Sequence, residues 1–313
     1  MKTARVAIAS FFLLSCAAAW AAADGSDDIV AGFKAAAQAQ AAASAAARRA
    51  EVQVAARAPF LWRVDGGAAP AYLFGTSHDI AAKNLDGAVF AKLAQSSAIV
   101  LEKSSDSNIM HERPELFWLP EGQSLNTLLG PRLWTVLKER VDPTVPDKDL
   151  RKYRPFLAFM YFKPVGDVSS SAASMDDELA AFAARQGMRI EGLESSEEIY
   201  RYADRAFTID YLRNQLYHND DMSALVARAR QAYVSGDENA CLAVDAEASR
   251  FEAPRVSRIL VDERNANWLP RIESRIRTGG VFIAVGLNHL IGEGHLLDLL
   301  RRDGYVLTRM PSR

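Results

Sequence analysis

The chain has 313 residues, with 37 Lys and Arg against 39 Asp and Glu and a net charge of −2. Binding to phosphate backbones needs a clustered basic excess, so this balance argues against nucleic acid as the main partner. The two cysteines, Cys16 and Cys241, exclude a disulfide scaffold and a thiolate-rich zinc site.

Lys2 and Arg5 open the chain, an uncharged apolar run from Val6 to Ser15 follows, and Ala19-Trp20-Ala21 and Ala21-Ala22-Ala23 offer small-residue cleavage sites. This pattern predicts an export signal over residues 1–23 and a periplasmic or cell-envelope location. The run is well short of the ~20 apolar residues a bilayer span needs, so no transmembrane segment is expected in the mature chain. A second reading takes Leu13-Leu14-Ser15-Cys16 as a lipobox, which would place a lipid anchor on Cys16. Residues 24–57 are rich in alanine, which favours helix but leaves little to bury, and read as a tether. A folded domain is expected over 58–313.

Phe60 to Val64 and Ala71 to Phe74 predict short strands around the turn Asp65-Gly66-Gly67. Asp86 to Gln95 predicts a helix, and the continuous apolar run Ala98-Ile99-Val100-Leu101 a strand buried on both faces. Strand, helix and strand in that order suggest a parallel α/β unit. From about 112 to 280 the pattern is mostly helical. Met175 to Leu179 opens one helix with acids in its first turn, Met188-Arg189-Ile190 is a short strand, and long helices are expected over 196–217 and 220–234. Arg255 to Arg277 is amphipathic and charge-rich. Val281 to Val285 returns as a buried strand, 292–302 as a helix, and Tyr305 to Thr308 as a last strand. The expected fold is α/β (α+β). Its central sheet is mixed and partly parallel, comes from the N- and C-terminal segments, and brackets a mostly helical middle insertion.

Four polar side chains share one context: His78, Glu102, Glu194 and His289 each fall just past a predicted apolar strand. Ligands of open α/β sheets bind beyond the carboxyl ends of the strands, so loops leaving one sheet edge could gather these residues. Gly75 and Gly286 stand three residues before the two histidines, where a sharp turn or a close backbone approach suits glycine. One such histidine would ordinarily be structural. Two copies of strand–Gly–x–x–His among only five histidines suggest a mixed imidazole and carboxylate site for a divalent metal, with Zn, Mn, Fe and Co all compatible. His295 is expected to face solvent, and His111 and His218 have no matching partner. Arg264 and Trp268 are i,i+4 neighbours on a helix; on spacing alone, with Glu263, they read as a surface ion-pair helix with an aromatic anchor.

The segments Leu73-Phe74-Gly75-Thr76-Ser77-His78, Ile99-Val100-Leu101-Glu102, Gly192-Leu193-Glu194-Ser195, Glu263-Arg264-Asn265 and Val285-Gly286-Leu287-Asn288-His289-Leu290 together resemble the TraB/GumN/Tiki family, related to the erythromycin-esterase and ChaN-like group. The resemblance spans about 60–310. It implies an α/β core around two G-x-x-H histidines and a glutamate, and a metal-dependent activity on peptide bonds. Carried over residue by residue, it makes His78, Glu102 and His289 metal-site candidates. Glu102, Glu194, Arg264 and Asn265 become catalytic candidates, the last three in supporting or substrate-orienting roles. Leu287-Asn288 stands where the family often has a small residue and Gly, and Tyr233 where Trp is common. The expected function is an exported metal-dependent hydrolase acting on a peptide or protein. The alternatives are a non-catalytic protein that sequesters peptide or haem, and a non-proteolytic esterase or amidase.

Overall fold

The structure, a computed structural model, describes residues 59–78, 80, 86–103, 109–162, 174–217, 223–249 and 254–311. The leader, the tether and Cys16 lie outside the described residues, as does His218. The family-like segment forms a six-stranded sheet. Its strands are β1 (Leu61–Asp65), β2 (Ala71–Thr76), β3 (Ala98–Lys103), β4 (Arg189–Glu194), β5 (Val281–Gly286) and β6 (Val306–Arg309), in spatial order β4-β3-β5-β2-β1-β6. β2, β3, β4 and β5 are parallel: β5 pairs with β2 on one side and β3 on the other, and β3 pairs with β4. β1 is antiparallel to both β2 and β6, so the sheet is mixed, as expected.

This topology converts sequence distance into proximity. The C-terminal strand β5 sits between the two N-terminal strands β2 and β3, so four parallel strands end along one sheet edge. β2, β3 and β5 are almost wholly buried, which is why their sequences are unbroken apolar runs. The helix α1 (Gly87–Ala94) links β2 and β3, and the Asp86 side chain caps it by accepting from Ala88 N–H at 2.7 Å.

The middle is helical, as the pattern indicated. It comprises α2 (Leu125–Arg140), α3 (Pro155–Met160), α4 (Met175–Arg185), α5 (Ser196–Ala206), α6 (Ile209–Tyr217), α7 (Ser223–Ser235) and α8 (Glu238–Ala248). The helical stretch expected over 196–217 is two helices: α5 ends at Ala206, capped by Phe207, and α6 begins at Ile209. Phe207 has φ −95° and ψ 71°, outside the helical region, and its side chain is buried among the helical elements with Tyr211. Aromatic packing fills this second core: Phe117 meets Phe156 and Tyr200, and Phe159 meets Phe207 and Tyr211.

The amphipathic stretch before β5 departs most from a plain helix. A single turn at Pro254–Ser257 leads into a π-helical segment over Arg258–Asp262, and then α9 (Glu263–Thr278). One extra residue in a turn rotates the remainder of the helix by about 100°. That phase puts Arg264, Asn265, Trp268, Ile272 and Ile276 on the buried face. The apolar end of this face packs on the sheet core, and its polar start reaches the sheet edge. After β5 come the one-turn helix α10 (Leu287–Leu290) and α11 (Leu296–Arg302). The helix expected from 292 starts later because Gly292 and Gly294 hold φ of +117° and +75°.

Candidate functional site

The four strand-end residues come from the expected elements, with shifts of detail. Glu102 lies inside β3 and Glu194 is the last residue of β4, so both side chains are held by strands rather than by loops. His289 sits within α10, directly after β5. His78 follows β2 by two residues.

Arg264 ties these parts together. Its Nε and Nη2 donate to Glu194 Oε1 at 2.9 and 2.5 Å, and Nη2 also donates to Glu102 Oε2 at 2.8 Å. Nη1 reaches Leu260 O at 3.4 Å and His289 Nε2 at 3.2 Å. The remaining oxygens are also taken. Glu102 Oε1 accepts from Gly286 N–H at 2.7 Å, and Glu194 Oε2 accepts from the Trp268 indole at 3.1 Å. The guanidinium stacks 4.5 Å from the Trp268 ring centroid, and that ring lies 4.4 Å from the His289 ring. The surface reading of Arg264 and Trp268 is therefore overturned: they are 5% and 0% exposed. Spacing gave the i,i+4 contact correctly but said nothing about which way the helix faced, and the π segment decides that.

Asn265 clamps His289 from both directions. Its Nδ2 donates to His289 O at 3.1 Å, and its Oδ1 lies 2.8 Å from His289 Nδ1. With the amide nitrogen on the carbonyl, Oδ1 must accept, so Nδ1 carries the proton and Nε2 the lone pair. His78 is arranged alike: its Nδ1 lies 3.1 Å from Asp176 Oδ2. Asp176 is in the first turn of α4, two residues after the Ser174 cap, and is not among the residues that the strand-end pattern singles out. Its only signal in the sequence is an acid in a helix first turn, which fits most helices.

Electrostatics separates the two glutamates. Burial opposes ionisation of Glu102, but Arg264, both histidines and the Gly286 N–H outweigh it and bring its carboxyl down to about 2. Burial pushes the Glu194 carboxyl up, with repulsion from Glu102 adding to it and Arg264 opposing. Burial, then the Arg264 charge, lowers His289 to about 3, so its imidazole is neutral. Exposure separates the set again. The side chains of His78 and Glu102 are 16% and 13% exposed, while Glu194, Arg264 and His289 are 2%, 6% and 4%. His78 and Glu102 form the accessible front and the other three a sealed back.

The two glycines have identifiable tasks. A Cβ at Gly75 would lie 2.6 Å from Leu287 Cδ1, so this glycine lets α10 close onto β2. A Cβ at Gly286 would lie 3.2 Å from Glu102 Oε1, against the backbone N–H that Glu102 accepts. Tyr233 donates from its hydroxyl to Gly75 O at 2.6 Å and so braces the start of the His78 turn. Asn288 reaches away from the cluster and donates to Asp245 Oδ1 at 3.2 Å. His295 does not project into solvent as expected; it is half-buried, with Nδ1 on Ile291 O at 2.5 Å and its ring against Gly292. Cys241 is half-buried, and burial and Asp237 push its thiol up to about 12, so it stays protonated.

Among the described residues, no group of three or more His, Cys, Asp or Glu side chains is drawn together closely enough to enclose a metal ion, and no helix is long and apolar enough to cross a membrane. Arg264 lies between Glu102 and His289, whose Oε1 and Nε2 are 4.0 Å apart. A family model described as TraB/PrgY/gumN family matches residues 60–309. No curated protein and no solved structure matches the chain.

Proposed function

The chain belongs to the TraB/PrgY/gumN family, and from that membership and the site's geometry we propose that it is an exported hydrolase. In this reading it cuts peptide bonds with the help of a divalent cation held by His78, Glu102 and His289. One observation carries the reading: two imidazoles whose Nδ1 atoms face oxygen acceptors both act on the Glu102 carboxylate, with His289 Nε2 4.0 Å from its Oε1. Imidazoles that ligate metals have one nitrogen held by an oxygen and the other facing the ion; at His289 that second nitrogen accepts from Arg264 Nη1, a contact the cation would displace.

The charge of the cluster supports the same donors. Glu102, Glu194 and Asp176 bring three carboxylates, against one guanidinium from Arg264. A divalent cation would balance a buried excess of negative charge that is otherwise costly. When bound, such a cation would act as a Lewis acid and lower the pKa of a water molecule.

The protein's own groups divide the remaining work. Glu102, ionised across the neutral range and partly open, presents a fixed negative charge at the front of the site. A glutamate moves the proton of the reacting water, and Glu102, the more open of the two, is the one placed to do so. Arg264 holds Glu102 and Glu194 in register, and Asn265 fixes the tautomer of His289. With all five N–H groups engaged, Arg264 supports the site rather than grips the substrate.

The test is elemental analysis of purified wild type beside His78→Ala, Glu102→Ala and His289→Ala, with folding checked by circular dichroism and peptide cleavage followed with and without chelator. The expected result is a stoichiometric transition metal in wild type, lost in all three variants together with cleavage. Metal-free wild type that cleaves peptides at full rate in chelator would refute the cation. Metal content unchanged by His78→Ala would refute the ligand assignment.

A further inference from the structure

Asp176 places a buried carboxylate beside His78. Its side chain is 19% exposed, yet both carboxylate oxygens are buried and neither makes a hydrogen bond among the described residues. Its Oδ2 nonetheless lies 3.1 Å from His78 Nδ1, a charge contact too bent to count as a hydrogen bond. The neighbouring acid Asp177 points to solvent, and the cap Ser174 accepts from the Asp177 N–H at 3.1 Å, so the turn is satisfied without Asp176. A carboxylate in this setting needs a positive charge or a proton donor beside it.

The contact dictates the state of His78. An unprotonated Nδ1 would aim its lone pair at an anionic oxygen 3.1 Å away. The proton therefore sits on Nδ1 and the lone pair on Nε2, the tautomer that Asn265 enforces on His289 by a different route. The surrounding backbone is braced for this pairing. The Tyr233 hydroxyl donates to Gly75 O at 2.6 Å and lies 3.5 Å from Met175 Sδ, joining the residue before Asp176 to the start of the His78 turn.

We propose that Asp176 is the positioning residue of His78: by its charge it selects the imidazole nitrogen that keeps a lone pair. The value of that choice rests on the reading of His78 as a cation ligand, because a ligand needs its lone pair on a defined atom.

The experiment combines 15N NMR of histidine-labelled protein with calorimetric titration of Zn2+. In wild type, the His78 nitrogens are expected to report protonation at Nδ1. In Asp176→Ala they should shift toward protonation at Nε2, and Zn2+ affinity should fall roughly 10–100-fold. Asp176→Asn, which keeps an oxygen dipole beside Nδ1 but not the charge, should restore the tautomer preference and the affinity only in part. If the alanine variant does not fold, Asp176→Ser carries the same test, because its hydroxyl is too short to reach Nδ1. A His78 tautomer and Zn2+ affinity both unchanged on removing the carboxylate would overturn the proposal. Wild type that takes up no Zn2+ would instead sink the cation reading, and the NMR arm would still decide the role of Asp176.

Discussion

Arg264 Nη1 lies 3.2 Å from His289 Nε2, and this one contact fixes what both side chains can do. Arginine has donors only, so Nε2 must accept and Nδ1 must hold the proton, in agreement with the independent bond to Asn265 Oδ1 at 2.8 Å. The same contact completes the use of Arg264, whose Nε, two Nη1 and two Nη2 hydrogens all meet acceptors. A single buried cation thus sets two carboxylates and one imidazole in place.

Removing that cation should be severe. Arg264→Met leaves Glu102 and Glu194 facing each other in a buried site, and breaking a buried pair from one side costs about 3–5 kcal/mol. Arg264→Lys should recover little, because an ammonium cannot reproduce the planar fork that serves both carboxylates. Urea unfolding at neutral pH checks this. A lysine variant within about 1 kcal/mol of wild type would show that charge alone, not the fork, holds the cluster.

Acid should weaken the fold in two windows. His289 drops from 6.5 to about 3 on folding, so below 6.5 protons bind the unfolded chain preferentially. Stability then falls by about 1.4 kcal/mol per pH unit until the folded imidazole titrates. Glu102 drops from 4.5 to about 2, so its contribution is complete above 4.5 and is lost as pH falls from there to about 2. Glu194, whose carboxyl is raised, acts in the opposite sense and favours the fold as it protonates. Urea midpoints should therefore fall between about pH 7 and pH 5, chiefly through His289, and His289→Gln should flatten that slope. A wild-type midpoint constant across that range would contradict the burial of a neutral His289.

The fold was legible where periodicity reports burial. The unbroken runs at Ile99 and Ile283 announced strands covered on both faces, and their strand-end neighbours Glu102 and His289 do share one sheet edge. Two features were not legible, for physical reasons. The inward face of α9 depends on a π segment over Arg258–Asp262, and an extra residue in a turn leaves no compositional mark. Asp176 looked like any acid favoured by a helix N-terminus. Its contact with His78 is set by how α4 docks on the sheet against β3 and β4, and no local pattern encodes that.

The approach of α10 to β2 should tolerate no added carbon. In Gly75→Ala the new Cβ would meet Leu287 Cδ1 at 2.6 Å and Leu287 Cα at 3.3 Å, displacing the helix that carries His289. The expected cost is about 1–3 kcal/mol, as for other overpacked sites. Leu287→Ala opens a void and is costly by itself, yet it makes room for the methyl group that Gly75→Ala adds. The double variant should then be more stable than the two single losses predict, with a coupling of about 0.5–3 kcal/mol. Chemical denaturation of the four proteins measures this, and strict additivity would mean that the two positions do not meet.

Glu194→Gln tests whether the sealed back of the site needs a pure acceptor. Oε1 takes two N–H groups from Arg264, and Oε2 takes the Trp268 indole N–H at 3.1 Å. A glutamine amide has one acceptor and one donor end. In one orientation its NH2 faces the indole donor, and in the other it faces the guanidinium. Neither orientation satisfies the site, and with Glu194 at 4% exposure no water stands in readily for the lost acceptor. The expected loss is about 1–3 kcal/mol at neutral pH. The difference from wild type should shrink in acid, where protonation gives Glu194 itself a misplaced O–H donor. A glutamine variant as stable as wild type at neutral pH would mean that Glu194 is already protonated there, and that Arg264 is balanced by Glu102 alone.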